Sequence, residues 1–247
     1  MGRAQRKLMA RGTAVFTYHK IGFAPEKTRD PFLYASPESF ERQLSALSRE
    51  SFRTARLGEL IAHRDPTDRK AVITFDDGFR SAFENGLEIL ARRQASAIQF
   101  IVSGLIGKRN EWDVEKQDAP EPLMDAAQIK EWLAAGHEIG SHSARHRNLK
   151  RLSPAEAHEE ISGSKKFLED KFGVEVRHFA YPFGGWNPQA RDLVAAAGYR
   201  SACTVIFGVN DAATNPFALR RIVPLSSAEL LRKIIHRLVR QASGRNL

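Results

Sequence analysis

The chain has 247 residues, 42% hydrophobic and 27% charged, proportions that exclude a disordered or fibrous protein and suit a globular one. Its 38 basic and 29 acidic residues leave a net charge of +9, and its single cysteine, Cys203, excludes both an intrachain disulfide and a closed thiolate metal site. No stretch approaches the roughly eighteen apolar residues of a membrane span, and no linker, repeat or low-complexity run divides the sequence.

Arg3, Arg6, Lys7 and Arg11 surround only Leu8, Met9 and Ala10, too few apolar residues for the core of a secretion signal, which predicts a cytoplasmic protein. Residues 14–18 read as a first strand closing at His19. Ser36 is a plausible N-cap, Pro37 suits the first helical position, and Phe40, Leu44 and Leu47 form the apolar stripe of the helix that follows. A short second helix is predicted over 56–62. Residues 71–75, AVITF, read as a buried strand, with Asp76, Asp77 and Gly78 as the turn at its carboxyl end. Asp and Gly are common turn formers, so DDG alone says no more than that. Side chains alternate along a strand, however, so one carboxylate can face a metal while its neighbour faces the space beside it.

A helix is expected over 79–94, with Phe83, Leu87 and Leu90 on one face, then a strand over 97–102. Residues 103–123 read as a long loop near the cleft, in which Trp112 either lines the cleft or anchors the loop. Asp125 can cap a helix through Ile129, Trp132 and Leu133 that ends at Gly136. A strand over 137–141 then leads to His142 and His146, four residues apart; His137, at its start, reads as structural. Two imidazoles at this spacing can face one way, and with an aspartate they make three ligands and an open position, the pattern of a catalytic metal site. By itself the pair is a weak signal in a chain with eight histidines. Ser153, Pro154 and Glu156 form a capping box for a helix to about Phe172, residues 177–181 read as a strand, and Asn187 and Pro188 open a helix that ends at Gly198. Alternating strands and helices predict a mainly parallel sheet with its site at the strand carboxyl ends. Near the end, Leu230, Leu231, Ile234, Ile235 and Leu238 share one helical face, with Arg232, Lys233, His236 and Arg237 largely opposite; such a helix packs on the domain or lies on an anionic membrane.

TFDDG at 74–78, HSARH at 142–146 and FAYPFGGWN at 179–187 resemble, in order and spacing, the first three motifs of the polysaccharide deacetylases, the NodB-homology or carbohydrate esterase family 4 enzymes, in their FAYPYG branch. The resemblance runs from about residue 15 to residue 225. It implies an α/β fold, a distorted (β/α)7 barrel over residues 13–226, flanked by a basic segment (1–12) and the amphipathic helix (227–247). It also implies that Asp76 is the general base, that Asp77, His142 and His146 are metal ligands, and that the backbone N–H of Phe183 helps hold the oxyanion. Many members carry an arginine two residues before the proline of the third motif, where this chain has Ala180. The later segment LRRIVPL, 219–225, resembles the one that supplies an arginine in the FAYPYG branch, which assigns that role to Arg221, with Arg220 as the alternative. The acid that protonates the leaving amine is assigned to His19, with His236 as the alternative. Tyr181 and Trp186 either wall a sugar ring or pack in the core.

The cofactor implied is a divalent metal, zinc by default for two histidines and a carboxylate, although iron, cobalt, nickel or manganese could serve. The activity implied is metal-dependent removal of N-acetyl groups from an amino sugar in a glycan, an oligosaccharide or a lipid- or nucleotide-linked precursor, with release of acetate. A deformylase or other small-amide hydrolase could use the same site, whereas a silent carbohydrate-binding relative would have no need of Asp76. The positive charge suits an anionic glycan, a diphosphate-linked sugar or peripheral contact with an anionic membrane surface, or is an ordinary solvated surface; no nucleic-acid motif accompanies it.

Overall fold

The computed structural model describes residue 9 and residues 12–62, 68–116 and 120–224. Their strands, in chain order, are β1 (Ala14–Tyr18), β2 (Lys20–Ile21), β3 (Tyr34–Ala35), β4 (Arg53–Thr54) and β5 (Lys70–Phe75). β6 (Ala97–Ile101), β7 (Glu138–Ser141), β8 (His178–Ala180), β9 (Ser201–Phe207) and β10 (Leu219–Arg221) follow. The main sheet has the order β1-β5-β6-β7-β8-β9-β10, all parallel, and β4 adds to the amino end of β5. Beyond β10 the ring closes on β1 through a parallel bridge between Phe16 and Ile222, in which Thr17 N–H donates to the Ile222 carbonyl at 2.9 Å. Seven parallel strands thus enclose a barrel with helices outside it, the distorted (β/α)7 fold.

Alternation along the strands sorts the apolar residues into two cores. Val15, Val72, Ile98, Phe100, Ala180, Cys203 and Leu219 fill the interior together with Leu57 and Leu60 from the helix Leu57–Ala62. The larger cluster, including Phe40, Phe75, Trp132, Phe179 and Tyr181, lies between sheet and outer helices. Gly140 is required by this packing: a Cβ there would lie 2.5 Å from the Phe100 ring. The predicted caps form: Ser36 Oγ accepts from Ser39 N–H, and Asp125 with Gln128 and Ser153 with Glu156 make reciprocal boxes, each contributing about 1 kcal/mol.

Three features differ from the sequence reading. β9 is not anticipated, because its first residues are small and its far end, with Val205 and Ile206 exposed, lacks the continuous apolar character of a buried strand. The helix after Ser153 is interrupted by a π-helical stretch, Glu159–Gly163, whose wider turn brings Glu160 inward. Three additional short strands appear: β2 and β3, which pair with each other beside the barrel, and β4, which pairs with β5. The predicted helix over 227–247, with His236, and nearly all of segment 1–12 lie outside the described residues, among which no helix is long and apolar enough to cross a membrane.

At the amino end of the barrel His178 is 1% exposed; its Nδ1 meets Ser201 Oγ at 2.8 Å and its Nε2 has no partner among the described residues. Burial pushes this imidazole down to about 3, with Arg177, Arg200 and Lys165 acting in the same direction and Glu175 against it. The unfolded chain binds the proton first, so stability from this residue is intact above about pH 6.5 and is lost as pH falls from there toward 3. Between neutral pH and about pH 4.5, His178 is expected to cost the folded state about 2–3 kcal/mol. Urea titrations at the two pH values, on the wild type and on His178→Gln, check this: the variant should lack that part of the pH dependence.

Candidate metal and catalytic site

The alternation that fills the barrel interior also aims the polar residues at its carboxyl-end mouth. On β5, Val72 lies inside, Thr74 Oγ1 reaches the Phe16 carbonyl at 2.9 Å, and the next residue in that phase is Asp76, 3% exposed. On β10, Leu219 lies inside and Arg221 follows it. The Arg221 guanidinium meets Asp76 as a fork, Nη1 to Oδ1 and Nη2 to Oδ2, both at 2.7 Å. Its Nε donates to the Thr204 carbonyl at 2.8 Å and Nη1 also to Thr74 Oγ1 at 3.3 Å. Arg220 points out and is exposed. His19, at the end of β1, brings Nε2 to 3.9 Å from Asp76 Oδ2 with 21% of its side chain exposed.

Asp77 leaves the strand with φ +72°, a conformation that aspartate tolerates better than most residues, and Gly78 follows at φ +80°. The chain turns there, and Asp77 Oδ1 comes to 3.2 Å from Nε2 of both His142 and His146. One donor atom from each of these three buried residues lies within 4.8 Å of the others. His142 Nδ1 is 2.7 Å from the Ala180 carbonyl, which can only accept, so Nδ1 carries a proton and Nε2, facing Asp77, is the nitrogen that the neutral imidazole would offer to a cation. Two imidazole nitrogens and a carboxylate oxygen converging in this way form a donor set suited to a divalent cation.

The turn carrying the histidines is held from several sides. Ser143 and His146 have positive φ, and His146 N–H donates to Ser143 Oγ at 3.0 Å. The Ser143 and Ala144 carbonyls accept from Ser103 and Gly104 N–H, and a Cβ at Gly104 would lie 2.7 Å from the Ala144 oxygen. Glu160, fully buried, accepts from Arg145 N–H at 2.8 Å and from Arg145 Nε at 2.9 Å. Sequence reasoning missed Glu160, since only the π-helical stretch turns it toward the turn that carries the histidines.

Trp112 lies over the His146 ring at 4.0 Å, and Phe183 meets the same ring edge-on at 4.4 Å. The loop bearing Trp112 is tied to β2 by Lys20, whose Nζ is 2.8 Å from Glu121 Oε1. Burial pulls the Lys20 ammonium down, and Glu121 and Tyr34 more than reverse it. Phe183 is 48% exposed, at φ +55°. Tyr181 does not wall the site: one position on from the inward Ala180, it faces the outer layer, is 1% exposed, and donates its hydroxyl to the Phe217 carbonyl at 3.1 Å. Trp186 packs half-buried against that same layer, so the aromatic faces beside the histidines are Trp112 and Phe183.

Burial pushes the Asp76 carboxyl up, but Arg221, His142 and His19 hold it below the ordinary carboxylate range. Asp77 is held lower still, because burial is outweighed by His146 and His142. Burial drives His146 down; at His142 burial also acts downward, but Asp77, Asp76 and the Ala180 carbonyl together outweigh it and raise it.

A parallel barrel with paired carboxylates and two imidazoles at its carboxyl-end mouth has the architecture of a barrel enzyme. Residues 63–202 match the family model of the polysaccharide deacetylases, and the chain belongs to that family. It is 24% identical over 212 residues to YxkH of Bacillus subtilis (strain 168), which is named for the polysaccharide deacetylases, covering 84% of this chain and 70% of that protein. It is 25% identical over 171 residues to the poly-beta-1,6-N-acetyl-D-glucosamine N-deacetylase of Staphylococcus aureus (strain MRSA252), covering 67% of this chain and 59% of that one. Among solved structures, the Streptococcus pyogenes deacetylase PplD in complex with acetate superposes with a TM-score of 0.76 at 25% identity, over 90% of this chain and 97% of that one.

Proposed function

We propose that the protein is a metal-dependent N-deacetylase acting on an amino-sugar residue of a glycan, an oligosaccharide or an activated sugar precursor. The observation that carries this reading is the adjacency of two unlike carboxylates: Asp76, forked onto a buried arginine, and Asp77, shared between two imidazoles. Asp77, His142 and His146 would hold the cation, by default zinc, and leave a coordination position open. When bound, such an ion polarises the acetyl carbonyl and lowers the pKa of a water. Asp76 takes the proton from the water that adds to the acetyl carbon, and Arg221 keeps that carboxylate ionised and fixed. The backbone N–H of Phe183 would donate to the developing oxyanion. His19 donates a proton to the sugar nitrogen as the C–N bond breaks, leaving acetate and a free amine.

Sequence similarity to an N-deacetylase of poly-N-acetylglucosamine supports the N-acetylated substrate class. The test is acetate release from chito-oligomers and from lipid- and nucleotide-linked N-acetylhexosamines, with protein stripped by chelator and then resupplied with zinc or cobalt. Acetate should appear only with the metal-loaded protein, the stripped form falling at least a hundredfold. Undiminished release after chelation would sink the metal-dependent reading. Metal and sugar binding without any acetate would instead point to a silent carbohydrate-binding relative.

A further inference from the structure

A cavity of about 880 Å³ opens beside His146, lined by neither Asp76 nor Arg221 and large enough for more than one sugar ring. Trp112 and Phe183 give it flat apolar faces, and Lys108, Arg145, Arg147 and Arg151 give it four cations. Glu111 is the only carboxylate among the residues that line it.

The four cations are not equivalent. Arg145 is fastened through Nε to Glu160 at 2.9 Å, and Arg147 through Nη2 to Glu156 at 3.1 Å. Those two are structural in part, since the first helps hold the ligand turn. Lys108 Nζ donates to the Gly104 carbonyl at 3.2 Å, and neither Lys108 nor Arg151 has a carboxylate partner among the described residues. They stand on different segments, one on the Trp112 loop and the other beyond the ligand turn, yet line the same concavity. Like charges converging on one cavity repel, and the arrangement is stabilised by an anion between them. Arginine and lysine beside aromatic faces recognise an oxyanion carried on a ring that stacks.

We infer that this cavity binds an oxyanion substituent, carboxylate or phosphate, on the sugar or linker next to the residue being deacetylated, so that the substrate is an anionic N-acetylated glycoconjugate rather than a neutral one. The inference rests on the deacetylase reading for the reacting sugar but not for the charge. The cavity is concave and continuous with His146, which favours a group attached to the substrate over a flat membrane surface.

The test uses three probes with zinc-loaded full-length protein: a short chito-oligomer, an alternating N-acetylglucosamine–glucuronate oligomer of the same length, and nucleotide diphosphate-linked N-acetylglucosamine. The wild type is expected to prefer at least one anionic probe over the neutral one by about tenfold or more in kcat/KM, and the probe preferred separates carboxylate from phosphate. The preference should shrink as ionic strength is raised to roughly 0.3 M. In Lys108→Gln/Arg151→Gln the ratio of anionic to neutral kcat/KM should fall about tenfold, chiefly through KM. Equal or better turnover of the neutral oligomer by the wild type, or an unchanged ratio in the double variant, overturns the inference. Should no probe release acetate, calorimetric binding of the same probes to zinc-loaded Asp76→Asn decides the matter separately. Charge-dependent binding that is lost when the two cations are also replaced upholds the anion site while the deacetylase reading falls. Binding that is absent, or indifferent to charge, overturns the anion site as well.

Discussion

Asp76→Asn is expected to lower kcat by about a thousandfold or more while the protein still takes up its metal. The amide is nearly the same size and still offers an oxygen to Arg221, but it cannot accept the proton that must leave the attacking water. The proposed ligands are untouched, because Asp77, His142 and His146 contact one another and not Asp76 directly. Single-turnover acetate release and metal content, measured on the same preparation, separate the two roles. Wild-type turnover by metal-loaded Asp76→Asn would remove Asp76 from the role of base. His146→Ala should show the reverse pattern: weakened metal uptake, with activity partly restored by excess metal.

Arg221→Met should destabilise the fold by about 3–5 kcal/mol, the usual cost of leaving a buried charge without its partner. Arg221 and Asp76 are each 3% exposed, and the fork between them is the only ion pair that either makes with a permanently charged partner among the described residues. The larger part of the loss comes from the stranded carboxylate, whose pKa would climb once the guanidinium is gone. Combining Arg221→Met with Asp76→Asn should therefore recover a substantial part of the stability without recovering activity. Denaturant midpoints for the two single variants and the double variant form the cycle that tests this. Strict additivity would mean that the two side chains are not energetically coupled.

Much of this centre can be read from residue order because strand alternation and chemistry coincide there. The apolar run into Asp76 and Asp77 marks a strand end, and the spacing of His142 and His146 marks a turn that can present both rings. Alternation also decides between Arg220 and Arg221, since the residue two positions after the interior Leu219 must face inward. The same rule applied to β8 turns Tyr181 away from the site, an outcome hidden by the Pro-Gly turn beside it, where aromatic residues serve wall and core equally well. Trp112 could not be assigned from sequence because its stacking partner, His146, is 34 positions away, and nothing local in the loop distinguishes a cleft residue from an anchor. Glu160 lay beyond reach for a different reason: a helix of regular pitch continues smoothly through it, and only the wider π-helical turn redirects it. β9 was hidden by its small leading residues and by its exposed far end.

The closure of the barrel by β10 has a consequence for the order in which the protein matures. Asp77 follows β5 and His142 and His146 follow β7, with only β6 between the two strands in the sheet, so the chain can assemble that cluster from residues 70–146. Arg221 reaches Asp76 across 145 residues of sequence, and loop closure over such a span comes late. A nascent chain on the ribosome can therefore form the proposed metal pocket before the proposed base, Asp76, has its arginine. On the proposed mechanism, hydrolytic competence then arrives only when β10 docks against β1, which couples the onset of activity to closure of the barrel.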